Sequence, residues 1–343
     1  MPDKIPQKVI FSRTDSIGDV ILTLPAIGIF KEKFPDCKIV FLGRNYTKAI
    51  ADACENIDEF FDWDEIKKKS KNEQNQFLKS INADAIIHVF PNRKIASISK
   101  KARIPLRIGI SHRIYHWLNC NKLLNFTRKN SDLHEAQLNL KLLEPFGISP
   151  QQGFQTYEKL ENYYGLKKIK PLNEKLNSLI DKSRFNLILH PKSKGSAREW
   201  GLKNFSELIQ LLPKEKFKIF ITGTKEEGEL MQYFLSGNKQ ATDLTGKFSL
   251  KELISFINSA DGIVAASTGP LHIAAAIGKI ACGIFAPMRP IHPGRWAPIG
   301  KNSHVFVQNK FCSDCRKNND CHCIRSISPN EVVQRLNAVL KIS

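Results

Sequence analysis

Nowhere does this 343-residue chain hold an uninterrupted apolar run fit to cross a bilayer. Gly262 to Ala286 has the length of a span, but Pro270, His272, Lys279 and several glycines break it, so a buried strand-helix-strand unit accounts for it better. The start lacks the charged-then-apolar leader of a secreted protein, since polar Met1 to Lys8 runs directly into Val9-Ile10-Phe11. A disulfide framework is missing too: four of the eight cysteines, Cys37, Cys54, Cys120 and Cys282, are scattered. A cytoplasmic location is expected, with any membrane contact peripheral. The other four, Cys312, Cys315, Cys321 and Cys323, with His322 between the last two, have the count and CxxC spacing of a structural zinc or iron site. The final CxC is tight, and whether a metal binds stays open.

Acidic residues are the scarce charge. Against 52 Lys and Arg stand 33 Asp and Glu, a net charge of +19. The deficit favours acidic partners such as phosphorylated sugars, anionic lipid surfaces or nucleic acid, although lysines scattered along solvated helices account for it equally well. Basic residues interleaved with aromatics are confined to Ser111 to Trp117, which argues against nucleic acid. That segment could instead hold an acidic acceptor, or simply be a surface loop.

What is present is alternation. Val9 to Phe11, Lys38 to Leu42, Ala85 to Phe90 and Leu106 to Ile110 read as buried strands, and Val20 to Lys33, Asp64 to Ile81 and Leu133 to Phe146 as helices. After a polar stretch the alternation restarts at Phe185 to His190 and continues through Phe217 to Thr222, Ala241 to Leu244, Ile263 to Ala266 and Ala281 to Phe285. Strands separated by helices imply parallel sheets, hence an α/β chain of two doubly wound halves. The expected division is 1–165, a linker at 166–184, 185–327, and a C-terminal helix at 328–343 capped by Ser328 with Glu331 three residues on. In such sheets ligands sit beyond the carboxyl ends of the strands, so the turns after Phe11, His190, Thr222 and Ala266 should line a cleft.

Ser267-Thr268-Gly269-Pro270-Leu271-His272 is the turn around which the chain is organised. Between an apolar run and a small-residue helix, Thr268 offers a hydroxyl cap, Gly269 permits close backbone approach, and Pro270 suits the first helical position. Free amides and the positive helix end there suit a diphosphate. After the first strand, Gly18 and Asp19 open an apolar helix. An ionised Asp19 there could take a proton from a sugar hydroxyl, or it could merely cap the helix. His190 to Trp200 packs three cations, two serines and a glycine into one loop, as a phosphate clamp does, with Arg198 placed to neutralise a leaving diphosphate. Glu226 or Glu227 could accept ribose hydroxyls, with helix capping by Thr224 and Glu227 as the equal alternative.

Ser16-Ile17-Gly18-Asp19-Val20 with Leu24-Pro25-Ala26, His190-Pro191 through Arg198-Glu199-Trp200, Asp243-Leu244-Thr245-Gly246, and Ser267 to His272 with Ala274-Ala275-Ala276 together resemble glycosyltransferase family 9. That family contains the ADP-heptose:lipopolysaccharide heptosyltransferases, and the resemblance spans nearly the whole chain in order. It implies a GT-B architecture, two Rossmann-like domains with the acceptor on the first and the nucleotide sugar on the second. It implies Asp19 as catalytic base with Gly18 beside it, and Arg198, Ser267, Thr268 and Gly269 at the donor diphosphate with His272 supporting. Glu226, Glu227 and Phe248 would lie at the nucleoside. The reaction implied is inverting and needs no cofactor or metal. The partners implied are ADP-heptose and an anionic inner-core glycolipid at the inner membrane face. Ser267 departs from the family, which commonly has Asp there, and this leaves another nucleotide sugar or acceptor as the nearest alternative. A non-catalytic sugar-nucleotide or polyanion binder of the same fold is the reading from another class.

Overall fold

Val9, Ile10 and Phe11 are all buried, although successive side chains of a strand point to opposite faces. A strand can bury both faces only inside a sheet covered on two sides by helices, which is the condition of parallel sheets. The computed structural model describes residues 5–129, 131–289, 291–308 and 321–340. It divides into two compact units, Met1–Lys168 and Ile169–Ser343.

The first unit runs β1 (Lys8–Ser12), α1 (Ile17–Ile21), α2 (Leu24–Lys33), β2 (Lys38–Gly43), α3 (Lys48–Ala53), β3 (Glu59–Asp62), α4 (Trp63–Ile66) and α5 (Lys71–Ser80). It continues through β4 (Ala85–His88), α6 (Arg93–Lys101), β5 (Leu106–Ile110), α7 (Ile114–Asn119), β6 (Lys122–Leu124) and α8 (Glu135–Lys141). The second runs α9 (Glu174–Asn177), β7 (Phe185–His190), α10 (Leu202–Leu211), β8 (Phe217–Ile221), α11 (Lys225–Leu230), α12 (Gln232–Gly237), β9 (Ala241–Asp243) and α13 (Leu250–Ser259). Then come β10 (Gly262–Ala266), α14 (Gly269–Ala276), β11 (Ile280–Phe285), α15 (Pro293–Trp296), β12 (Ser303–Val307), α16 (His322–Arg325) and α17 (Pro329–Leu340).

Every strand pair described is parallel. The first sheet is ordered β3-β2-β1-β4-β5-β6 and the second β12-β11-β10-β7-β8-β9. Counting strands within each unit, both follow the order 3-2-1-4-5-6 of a nucleotide-binding doubly wound sheet, the α/β class expected. The order reverses between β1 and β4 in the first and between β7 and β10 in the second. A crevice at the carboxyl ends of those pairs follows from the topology.

Several elements differ from the sequence expectation, each for a local reason. The helix expected over Val20 to Lys33 is two helices, because Pro25 has no N–H to give to Ile21 and α2 starts afresh with proline in its first turn. Ser70 and Glu73 form a capping box that restarts the chain as α5, so the helix expected from Asp64 is also divided. The strands β3, β6 and β12 and the helix α6 were not anticipated. The first three lie at sheet edges and bury few apolar side chains, so they carry little periodic signal.

The polar stretch after Phe146 is fastened to the first unit as far as Lys168, whose N–H donates to the Ala53 carbonyl at 2.9 Å, while Glu55 N–H donates to Gly165 O at 2.7 Å. Tyr163 presses its carbonyl against Gly28 of α2 so closely that no Cβ would fit there. In the second unit α17 lies on α10 and buries Val332 and Leu336 in the same core as Trp200, Phe205 and Leu208.

α7 is attached to β5 by a buried histidine. Ile110 N–H donates to His116 Nδ1 at 3.0 Å, and the ring stands 5.4 Å from that of His88, also buried, at the end of β4. Burial lowers His88 to about 3, with His116 and Arg107 adding repulsion, and burial lowers His116 to about 4. Both are therefore neutral in the fold. In the unfolded chain they take up protons near pH 6.5, so the stability they contribute is complete above that value and is lost as pH falls below it. Between pH 7.5 and 5.5 the wild type should lose roughly 3 kcal/mol more unfolding free energy than the His88→Gln/His116→Gln protein, about 1.4 kcal/mol per histidine. Denaturant melts at both pH values read this directly, and equal losses in the two proteins would refute it.

Candidate active site

At the carboxyl end of β1 the chain places Arg13, an arginine only 2% exposed. A guanidinium out of water needs acceptors on every side, and this one has them. Its Nε and Nη2 form a fork on the Asp15 carboxylate at 2.9 and 3.1 Å, Nη2 also reaches Asp19 Oδ1, and Nη1 donates to Asn139 Oδ1 at 2.9 Å and Glu135 Oε1 at 3.2 Å. Burial alone would lower its pKa, but Asp15, Asp19 and Glu135 outweigh that and hold the charge on. From the far side Arg128 donates to Glu135 Oε1 at 2.9 Å and to Asn139 Oδ1 at 3.0 Å. Asn139 Nδ2 in turn donates to the Leu22 carbonyl at 2.9 Å, which ties α8 to the end of α1.

Asp19 is the third residue of α1, in the turn where the helix dipole favours a carboxylate. Ser16 stands at the cap position, yet instead of accepting a backbone N–H it donates its hydroxyl to Asp19 Oδ2. One oxygen of Asp19 is thus held by Arg13 and the other by Ser16, while the side chain keeps 16% of its surface in solvent. Asp15 is pushed up to about 6 by burial, with repulsion from Asp19 and Glu135 added and Arg13 opposing. Gly18 is buried beneath this turn. Arg13, Glu135, Asn139 and Arg128 escaped the sequence reading; the only signal was an arginine directly after a buried strand.

In the second unit the loop after β7 closes on Glu199. Its carboxylate takes Lys192 Nζ at 2.5 Å and the Ser193 N–H at 3.1 Å, and Ser193 Oγ donates to the Ala197 carbonyl at 2.9 Å. Lys194 and Gly195 adopt positive φ, 49° and 78°, to make the bend. Of the three cations read as a clamp, Lys192 is therefore occupied in folding the loop, and Lys194 points along the surface 4.0 Å from Glu226. Arg198 is half-buried, two residues before Trp200, whose indole N–H donates to Ile327 O at 2.9 Å and anchors the loop.

Across the order reversal, β10 ends at Ala266 and α14 begins at Gly269. Thr268 holds the cap position in extended backbone, but its hydroxyl does not cap the helix. It is buried and, among the described residues, has no hydrogen-bond partner. Pro270 is the second helical residue, one later than expected, and His272 is buried on the same helix. Ser267 is partly exposed at the turn. An unsatisfied buried hydroxyl beside the uncapped amides of a helix start is an arrangement suited to an anion.

The residues read as facing a nucleoside are dispersed around α11 and α13. Glu227 is buried and forms a capping box with Thr224, its Oε2 accepting the Thr224 N–H at 2.8 Å, whereas Glu226 is exposed. Phe248 packs on Phe256 with ring centroids 4.9 Å apart. Buried His190 bonds Thr222 Oγ1 at 3.0 Å and is lowered by burial, with Glu227 opposing. Among the described residues no group of three or more His, Cys, Asp or Glu is arranged to hold a metal ion; Cys312 and Cys315 lie outside the described residues. No described helix is long and apolar enough to cross a membrane.

The sequence model of glycosyltransferase family 9 (heptosyltransferase) matches residues 73–323. The chain belongs to glycosyltransferase family 9. A Haemophilus influenzae protein described only provisionally, as a glycosyltransferase, is 26% identical over 98% of this chain and 96% of its own. Lipopolysaccharide heptosyltransferase 3 of Escherichia coli K12 is 24% identical, covering 86% of each. The structure of E. coli ADP-heptose lipopolysaccharide heptosyltransferase II superposes with a TM-score of 0.75 at 16% identity, over 97% of this chain and 98% of that one, a likeness of fold. This family 9 chain is therefore a glycosyltransferase of the GT-B fold class.

The ion cluster around Arg13 makes a stability prediction independent of chemistry. Removing a buried guanidinium leaves Asp15 and Asp19 without their shared cation and Glu135 with Arg128 alone, which costs more than the pairing is worth intact. Arg13→Met should destabilise the first unit by about 3–5 kcal/mol. Urea unfolding followed through Trp63, buried in this unit, would test it, and a loss under about 1 kcal/mol would mean the cluster is not buried as described.

Proposed function

We propose that this glycosyltransferase moves a heptose from ADP-heptose to an anionic inner-core lipopolysaccharide acceptor, with inversion and without metal. The observation that carries the reading is Asp19. A carboxylate oriented at both oxygens, set in the first turn of a helix at the carboxyl end of β1 and still open to solvent, supports its reading as the group that receives the proton. In this reading the acceptor binds the first unit. Its hydroxyl oxygen attacks the anomeric carbon of the donor as its proton passes to Asp19, the bond from that carbon to the diphosphate breaks, and ADP leaves with the electron pair. Arg198 and the Thr268 and Gly269 amides take the growing diphosphate charge, with Ser267 at the sugar side and His272 behind the turn. Glu226 suits the ribose better than Glu227, whose carboxylate is engaged at its own helix start, and Phe248 offers a ring to the base. The protein acts in the cytoplasm with peripheral contact to the inner membrane.

Ser267 supports one alternative, a different nucleotide sugar. A hydroxyl where relatives commonly carry a carboxylate changes what the donor sugar meets without altering the displacement.

Mass spectrometry of products from ADP-heptose and competing nucleotide sugars, with deep-rough lipopolysaccharide as acceptor, tests the donor. Asp19→Asn should lower kcat about 10²- to 10⁴-fold while ADP affinity stays within twofold. Thr268→Val, which keeps shape and removes the hydroxyl, should weaken ADP binding by about 1 kcal/mol, roughly fivefold in Kd by calorimetry. Full activity in Asp19→Asn would remove it as base. Transfer from another donor alone would discard heptose and keep the mechanism.

A further inference from the structure

From Ala85 to Ser131 the chain carries ten lysines and arginines and no aspartate or glutamate. Ten of the nineteen net positive charges thus come from 47 residues, a segregation that scattered solvated lysines do not produce. This stretch builds α6, β5, α7 and β6, and α6 packs beside α7. On α7 the residues Ile114, Trp117 and Leu118 are 84%, 65% and 66% exposed. They stand at positions i, i+3 and i+4, so they share one face of the helix. Isolated exposed apolar residues need no explanation, but three on one face in a basic surround do.

The ridge is held in place from beneath. Trp117 Nε1 donates to the Ser111 carbonyl at 2.6 Å, Lys100 Nζ donates to the Leu118 carbonyl at 2.7 Å, and His116 ties the opposite face to β5. Arg113 precedes the helix and Lys122 follows it, both exposed, with Lys101 exposed at the end of α6. An indole whose N–H is satisfied and whose ring faces outward, flanked by aliphatic side chains and collared by cations, has the composition of a segment that lies in a lipid interface. α7 also begins at the carboxyl end of β5, the edge of the sheet from which Asp19 emerges. Phe90, 38% exposed, follows β4 on the same edge.

We propose that the Ile114/Trp117/Leu118 face of α7, with the exposed cations Lys101, Arg113 and Lys122 beside it, is the site at which this protein docks on an anionic phospholipid bilayer. The inference rests on the reading of a lipid-linked acceptor and gives it a location. Insertion of the ridge supplies affinity for the apolar boundary, and the cations supply preference for anionic headgroups. A bilayer fits better than a second copy of the chain, because the exposed charges this stretch contributes, Lys101, Arg113 and Lys122 among them, are all positive and repel their own copy.

The test is sedimentation of the full chain with vesicles of phosphatidylcholine alone or containing 30% phosphatidylglycerol. Binding should require the anionic lipid and fall at least tenfold between 50 and 500 mM salt. Ile114→Ser/Trp117→Ser/Leu118→Ser should weaken it at least tenfold with the thermal melt unchanged, and Arg113→Glu/Lys122→Glu should do the same through charge alone. Binding that survives the triple substitution, or no binding to anionic vesicles at low salt, overturns the proposal. So does a dimer in solution that the triple substitution breaks. Transfer to a delipidated, water-soluble acceptor separates this from the transferase reading. Unchanged transfer without vesicle binding sinks the docking surface alone, and vesicle binding without transfer from any donor sinks the transferase reading alone.

Discussion

Parallel strand pairing fixes where chemistry can happen in this chain. Because each strand must return through a helix to lie beside its neighbour, all carboxyl ends fall on one edge of each sheet. One reversal of strand order leaves a crevice there. In the first unit the reversal separates β1 from β4, and the residues emerging from β1 are Arg13, Asp15 and Asp19. In the second it separates β7 from β10, and the emerging residues are the loop closed on Glu199 and the turn at Thr268. The same topology thus presents a carboxylate-rich crevice in one unit and an amide-rich one in the other.

The two crevices are stabilised differently. In the first, three carboxylates face two guanidiniums, so at neutral pH one negative charge is left over. Asp15, the carboxylate pushed up to about 6, relieves that imbalance by taking a proton as the pH falls. Asp19 also keeps part of its surface in solvent, and Arg13 and Ser16 hold it in one orientation. Among the described residues the second crevice has no comparable cluster of carboxylates at its turn. Its capacity for an anion comes from a helix start and an unused hydroxyl, groups that carry partial charge without needing a counter-ion in the empty protein.

How much of this the sequence disclosed depends on whether a signal was local. Helix starts were legible only where the cap was read from adjacent residues: Thr224 with Glu227 forms the box its spacing specifies, whereas Ser70 with Glu73 forms one inside a stretch read as a single helix. Buried strands were legible as apolar runs. Edge strands such as β6, three residues of which one is buried, were not, since half-exposed strands look like loops. The long-range partners of Arg13 were beyond reach, because Glu135 and Asn139 lie more than a hundred residues away and nothing in their own surroundings marks them. Thr268 was read as a cap by residue type, and only the geometry shows its hydroxyl turned away from that task. Lys192 likewise counted as a free cation until Glu199 was seen to occupy it.

The charge of the chain takes on a different meaning once it is placed. A net charge of +19 spread evenly would be a solubility device. With ten of those charges in the stretch from Ala85 to Ser131, the remaining 296 residues carry only +9, and the excess becomes a feature of the stretch that builds α6, β5, α7 and β6. Exposed apolar side chains in the midst of such a field are costly unless something covers them, and a surface of one sign selects against its own copy. Charge and apolar exposure here constrain the partner jointly: it must be negative and extended, and it must offer an apolar layer within a side chain's reach of its charge. A soluble polyanion meets the first condition and fails the last, whereas an anionic bilayer meets them all.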